Sequence, residues 1–118
     1  MKELDKKLFV IPFTKGTAKF NMERDIELFN QFFKERSGLR IYGWVERCVT
    51  YGRNQKIIKT DIPWARRPTG GGMVVHFNDI SFSFFVNSKS PLWHPSVHST
   101  YLEVSDLIKE SLRRAGFP

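Results

Sequence analysis

One stretch concentrates the ligand-binding chemistry of this chain: Arg66-Arg67-Pro68-Thr69-Gly70-Gly71-Gly72-Met73-Val74-Val75-His76. Three consecutive glycines permit positive φ and leave no Cβ in the path of a ligand approaching the backbone. Successive N–H groups in such a turn can form a concave receptor for an anion. The paired arginines supply bidentate donors to a phosphate or carboxylate. Thr69 adds a hydroxyl, and His76 closes a β-branched run. A glycine triplet alone marks a tight turn; arginines, hydroxyl, triplet and histidine in one short register are far more specific. Gly52-Arg53-Asn54-Gln55 reads either as a surface turn or as polar lining for a pocket at a strand end. Cys48 lies in a β-like run and reads as a buried thiol. His94 and His98 lack the cysteine or carboxylate companions of a metal site, so no metal is assigned.

The flanking pattern supplies elements to position these groups. Leu8-Phe9-Val10-Ile11-Pro12-Phe13 reads as an opening strand ended by proline. Asn21 is the expected N-cap of a helix with Glu23 and Asp25 in its first turn. Met22, Ile26, Phe29 and Phe33 fall on one face, widened by Phe32, and form the expected core stripe. Lys34 and Arg36 suit the last turn, with Gly38 as the terminating residue. Residues 39–44 and 47–51 read as neighbouring strands. Residues 56–63 form a polar connection. Residues 73–77 and 80–86 read as a tight hairpin through Asn78-Asp79, with His76 beside its turn. Ile80, Phe82, Phe84 and Val86 share one face of the second strand and Ser81 and Ser83 the other. Ser96 caps a last helix, Val97, Tyr101, Val104, Ile108, Leu112 and Ala115 make its buried stripe, and Gly116 ends it.

The 118 residues make room for one domain with one core. Apolar residues at 41%, with aromatics at 14%, can build that core, which excludes a disordered polypeptide. A net charge of +7 favours anionic partners. The basic residues are scattered rather than blocked, however, and nucleic acid is not the expected partner. One cysteine cannot form an internal disulfide, which suits a reducing compartment. No run approaches the ~20 apolar residues of a membrane span. Residues 1–7 carry both charge signs and lead into no long apolar run, so no signal peptide is expected and the default is cytoplasmic.

The stretch from Arg66 to His76, followed by Asn78-Asp79 and a Phe-rich strand, closely resembles the signature of the lipoate–protein ligase family. That family belongs to the biotin/lipoate ligase and octanoyltransferase superfamily. Gly52-Arg53-Asn54-Gln55 looks like the family's Gly-Arg-x-Gln element, and the helix at Asn21 like its first helix. The resemblance implies an α+β fold, a mixed and mainly antiparallel sheet flanked by helices. It also implies ATP, Mg²⁺ and lipoate, with the acyl group adenylated and passed to a lysine on an acceptor domain of a 2-oxoacid dehydrogenase or glycine-cleavage protein. By position, Arg67 and Thr69 would contact the acyl-adenylate. Gly70, Gly71 and Gly72 would let the backbone approach it, Val74 and His76 would line the acyl tunnel and adenylate pocket, and Arg53 would support that pocket from the neighbouring strand.

Two departures bear on this. The connection from Gln55 to Arg66 is shorter than is usual in the ligases. The family's lysine, and the acyl-accepting cysteine of the octanoyltransferases, lie downstream of Pro118, and Cys48 sits in the wrong segment for that role. Residues 1–118 are therefore expected to form a partial catalytic domain. It would be completed by a C-terminal chain or a homo-oligomer, because a half domain leaves a sheet edge and the face of its last helix uncovered. The alternatives are octanoyltransferase-type acyl transfer and a non-catalytic acyl- or nucleotide-binding paralogue. Gly72, where cysteine-type octanoyltransferases often carry arginine, leans toward the ligase.

Overall fold

A parallel strand pair needs a crossover, and the first helix provides it. The computed structural model describes residues 7–117. The charged start, residues 1–6, and Pro118, on which the expectations about targeting and truncation fell, lie outside the described residues. Strand β1 (Leu8–Gly16) runs parallel to β2 (Ser37–Trp44), and helix α1 (Ala18–Asn30) connects them. Strand β6 (Ser81–Phe85) adds to the other side of β2, antiparallel. A second sheet has the order β4-β3-β5, with β3 (Cys48–Tyr51) parallel to β4 (Trp64–Arg66) and antiparallel to β5 (Val74–His76). The architecture is α+β, with two mixed three-stranded sheets. Pro12 does not end β1. It sits on an edge strand where the register with β2 shifts between Ile11 and Thr14, a position that needs no ladder donor.

Three local expectations are corrected. The first concerns the helix start. Thr17, not Asn21, caps α1, its side-chain oxygen accepting from the Phe20 N–H at 3.1 Å. Asn21 lies one turn inside and is buried, donating to the carbonyls of Gly43 at 3.0 Å and Gly16 at 3.3 Å. The helix accordingly turns a different face inward: Ala18, Met22, Asp25 and Leu28 are buried, while Ile26 is 43% and Phe29 65% exposed. Gly38 terminates no helix; α1 stops at Asn30, a 3₁₀ turn follows over Phe32–Lys34, and Gly38 lies in β2. A Cβ at Gly38 would strike the Phe9 carbonyl across the parallel ladder.

The second correction concerns pairing. Strands β2 and β3, and likewise β5 and β6, are consecutive in sequence yet belong to different sheets. Asn78 does take a left-handed conformation, φ 60°, but the turn hands the chain from one sheet to the other rather than closing a hairpin. Residues 45–47 make the same passage earlier. The sheets meet where Trp44, at the end of β2, stacks on His76, at the end of β5, with ring centroids 3.9 Å apart. Beneath that junction Ala18, Met22, Tyr42, Trp44 and Cys48 form one core cluster, with Leu28, Phe33 and Phe85 forming another.

The third correction concerns helix α2 (Val97–Arg114). Ser96 caps it as expected. Gly116, at φ 99°, ends it in a Schellman arrangement: the Phe117 N–H bonds the Leu112 carbonyl at 3.0 Å and the Gly116 N–H that of Arg113 at 3.1 Å. The expected stripe is not buried; no α2 residue is, and Val97 is 87% exposed. Caps and the Glu110 pairs with Arg113 and Arg114 define the helix locally, and its apolar side is covered only in part, with Val104, Leu107 and Ile108 of intermediate exposure.

Candidate functional site

An apolar cleft of about 700 Å³ opens between α1 and β6. The exposed Ile26 and Phe29 line it from α1 and residues 82–86 from the β6 side, where Ser83 and Phe85 turn toward the helix, while Arg53, Arg67, Pro68 and Thr69 stand at its polar side. The face of α1 that pointed away from the core therefore has a use. Its apolar side chains line a space large enough for a ligand. A smaller cavity of about 240 Å³, lined by Val74, His76, Trp44 and Ile80, shares Met22, Tyr42, Arg67 and Phe82 with the first. Among the residues singled out in the sequence, Arg53, Arg67 and Thr69 border the large cavity and Val74, His76 and Arg67 the small one. The glycines line neither; they are exposed at the rim.

The two arginines divide their work, which their adjacency in sequence does not reveal. Arg66 Nη1 donates to the carbonyls of Gly52, Arg53 and Gln55 at 2.9, 3.1 and 2.7 Å. It clamps the 52–55 turn, which Gln55 also closes by accepting from the Gly52 N–H at 3.1 Å. Arg66 is thus a structural clamp and not an anion donor. Gly52 is obligatory, because a Cβ there would collide with the Gly71 carbonyl. That contact seats the glycine loop on the turn, and the Arg53 N–H adds a 2.8 Å bond to the Thr69 carbonyl.

Arg67 reaches back under the loop. Its Nη1 donates to the Thr50 carbonyl at 3.1 Å and the Thr50 hydroxyl at 2.8 Å, and its Nη2 to the carbonyls of Gly70 at 3.0 Å and Gly72 at 2.6 Å. In a trans planar peptide the N–H points opposite to the preceding C=O. Drawing in those two carbonyls therefore turns the N–H groups of Gly71 and Met73 away from Arg67, and neither has a protein acceptor among the described residues. Only Gly71 needs glycine's freedom, at φ 92°; a Cβ at Gly70 or Gly72 would meet open space. Arg67 makes no salt bridge among the described residues. Burial pushes its guanidinium pKa below the ordinary value, opposed in part by the nearby Tyr42. All four Nη–H groups are thus engaged within the protein, and what Arg67 presents at the edge of the apolar cleft is its uncompensated charge and its Nε–H.

Two groups of functional side chains escaped the sequence reading. The first is a buried network joining α1 to both neighbours of the cleft: Arg40 bonds Asp25 at 2.8 Å and Asn21 Oδ1 at 2.7 Å, and Ser83 donates to the other Asp25 oxygen at 2.5 Å. An acidic residue three positions after Met22, on a helix face that must pack, was the available signal. The second group surrounds His76. Its Nδ1 lies 2.7 Å from Asp79 Oδ2 and its Nε2 2.9 Å from Thr50 Oγ1. Burial works to raise the Asp79 pKa, but the His76 hydrogen bond and the nearby backbone N–H groups of Asp79 and Phe77 hold the carboxyl below its ordinary range.

Cys48 is fully buried, and burial, followed by the charges of Asp79 and Glu46, pushes its thiol up to about 11. It is therefore a core thiol rather than a nucleophile. Iodoacetamide at pH 8 is expected to leave Cys48 unmodified in the native chain over hours and to label it fully in denaturant. Rapid native labelling, read by intact mass, would contradict the assignment. Among the described residues no three His, Cys, Asp or Glu side chains are grouped to hold a metal ion, and no helix is long and apolar enough to cross a membrane.

Residues 17–118 match the lipoyl protein ligase A/B catalytic domain. The chain is similar to octanoyltransferase LipM of Clostridioides difficile (strain 630), 30% identical over 107 residues, which covers 81% of this chain and 40% of that protein. It is also 30% identical over 114 residues to octanoyltransferase LipM of Kyrpidia tusciae, covering 87% of this chain and 42% of that one. The same-named protein of Bacillus subtilis (strain 168) is 29% identical over 112 residues, with 86% and 40% covered. The chain thus spans about two fifths of the length of these curated relatives.

Proposed function

This chain belongs to the lipoyl protein ligase A/B catalytic-domain family, and from that premise we propose that it forms the acyl-holding part of an octanoyltransferase-type site. The observation that carries this reading is the uncompensated Arg67 charge at the edge of an apolar cleft lined by Ile26 and Phe29 of α1 and by the phenylalanine-rich residues 82–86. A medium-length acyl chain fits both halves of that arrangement. Each buried methylene contributes about 0.8 kcal/mol, and the carbonyl or carboxylate oxygen meets Arg67, Arg53 and the hydroxyl of Thr69. When a nucleophile attacks the carbonyl carbon of an activated octanoyl group, the oxygen takes up negative charge and the bond to the donor's leaving group breaks. The fixed positive charge of Arg67, with the Arg53 side chain and the Thr69 hydroxyl beside it, is preorganised to stabilise such charge. Cys48 takes no part. The acyl acceptor in this reading is a lysine of a lipoyl-type acceptor domain.

Transfer is favoured over ATP-dependent ligation on two grounds. The relatives named above are octanoyltransferases, which outweighs the lean drawn from Gly72. The residues beside the loop also do not fit Mg²⁺-ATP. Asp25 has both oxygens engaged by Arg40 and Ser83. Asp79 has one oxygen on His76 and the other enclosed without a partner. Neither carboxylate is open to a cation that demands octahedral oxygen coordination.

The test is calorimetric titration of the full chain with hexanoate, octanoate, lipoate and biotin. Octanoate is expected to bind, and Ile26→Asp, at a half-exposed position of the cleft, to weaken it at least tenfold while leaving the melting temperature within a few degrees. A folded chain that ignores octanoate would defeat the proposal, and pyrophosphate release from ATP and lipoate would return the ligase reading to first place.

A further inference from the structure

We propose that Asp79, His76 and Thr50 form a one-directional hydrogen-bond relay that aims Arg67, which makes Thr50 and Asp79 positioning residues of the acyl site. The functional consequence rests on the acyl-binding reading above; the relay itself does not.

The direction follows from what each group can donate. A guanidinium has no acceptor, so Thr50 Oγ1 must accept the 2.8 Å bond from Arg67. The hydroxyl keeps one proton, and Thr50 is fully buried. The acceptor in reach is His76 Nε2, 2.9 Å away. With Nε2 accepting, a neutral His76 carries its proton on Nδ1, where Asp79 Oδ2 lies 2.7 Å away and accepts it. Reversing the His76 tautomer would leave the buried Thr50 proton without an acceptor and set two bare acceptors, Nδ1 and Oδ2, against each other. The chain Arg67→Thr50→His76→Asp79 therefore satisfies every member in one sense only, and bonds running in one sense polarise one another.

The fold holds the relay still. Cys48 pairs with His76 and Thr50 with Val74 on the antiparallel β3–β5 ladder, so Thr50 and His76 are diagonal neighbours on one face. The indole of Trp44 stacks on the His76 ring, at 21° between planes, and is itself pinned by its Nε1–H bond to Ser81 Oγ at 3.1 Å. Asp79 comes from the passage between sheets, the segment where Asn78 takes φ 60°. That passage thus determines where Arg67 points and, through the Gly70 and Gly72 carbonyls, how the glycine loop is presented.

The experiment uses the full chain labelled with ¹⁵N. Long-range proton–nitrogen correlation is expected to show His76 as the Nδ1–H tautomer, and the Arg67 Nη signals to be resolved in the wild type and to coalesce in Thr50→Val. Octanoate affinity is expected to fall at least tenfold in Thr50→Val, to stay within threefold of wild type in Thr50→Ser, and to fall at least threefold in Asp79→Ala. Binding of 1-octanol, a probe of the tail slot alone, is expected to stay within twofold throughout. An Nε2–H tautomer would overturn the relay. So would a folded Thr50→Val that binds octanoate as the wild type does, or one that loses octanol and octanoate equally. If Thr50→Val does not fold, the tautomer and Asp79→Ala decide. If the wild type binds no octanoate, the acyl reading fails, while the tautomer and the Arg67 signals still pass or fail the relay.

Discussion

Arg40→Met is expected to lower the unfolding free energy by about 3–5 kcal/mol, the range for removing one partner of a buried ion pair. For a domain whose whole stability is about 5–15 kcal/mol, that is a large fraction. Arg40 is 1% exposed. It donates to Asp25, to the Asn21 side chain and to the Asn21 carbonyl at 2.9 Å, with its guanidinium 4.0 Å from the Tyr42 ring centroid. Methionine fills the volume and satisfies none of these acceptors. Asp25 would keep only the Ser83 hydroxyl, and the Asn21 oxygen would have no donor. A double variant, Arg40→Met with Asp25→Leu, is expected to recover most of the loss, since a buried pair replaced by apolar groups of similar volume is often neutral or better. Urea denaturation of both variants measures this, and a single-variant loss below about 1 kcal/mol would show that the pair does not hold α1 on β2. The functional consequence follows from position. Asp25 and Ser83 border the cleft, and the helix they fix carries Ile26 and Phe29, one of its two walls.

Arg67→Met is expected to weaken octanoate binding roughly 10- to 100-fold, because hydrogen bonds involving a charged group contribute about 1.5–3 kcal/mol. Titration calorimetry reads the change, with 1-octanol as the control that keeps the tail contacts. Stability should change much less than in Arg40→Met, since Arg67 is half-exposed and forms no ion pair among the described residues. Lysine is not expected to rescue it. A point charge cannot meet the two Thr50 acceptors and the Gly70 and Gly72 carbonyls with one planar fork. Unchanged octanoate affinity would remove Arg67 from the site and with it the observation on which the acyl reading stands.

Both arginines show how legibility depends on range. Arg67 could be picked out beforehand because glycines, hydroxyl and histidine surround it in one short register. Arg40 could not, since it looks like any polar residue in an alternating strand. Its partners, Asn21 and Asp25, come from another element, and Asp25 was assigned to a dipole-favouring role in the first helical turn. The phase of α1 was misread for a related reason. Met22, Ile26 and Phe29 do fall on one side of α1, with Phe33 beyond its end in the core, but an apolar face can line a ligand cleft as readily as a core. Periodicity reports the face and not what lies opposite. The hairpin expected through Asn78-Asp79 failed similarly. A left-handed Asn fits a tight turn and fits equally well a chain leaving one sheet for another, and only the competing partners β2 and β3 decide between them.

What the sequence by itself determined is therefore local: roughly which stretches form strands and helices, how α2 is capped and ended, and, through the signature of residues 66–76, the family. These follow from backbone propensity, side-chain periodicity and spacing along the chain. Only the tertiary structure decided which arginine clamps a turn and which faces the cleft, that His76 is held between Thr50 and Asp79, and that Ile26 and Phe29 line a cavity. Each of those depends on contacts between residues distant in sequence. Their geometry is set by how two sheets and a helix pack, which no short window of residue types can encode.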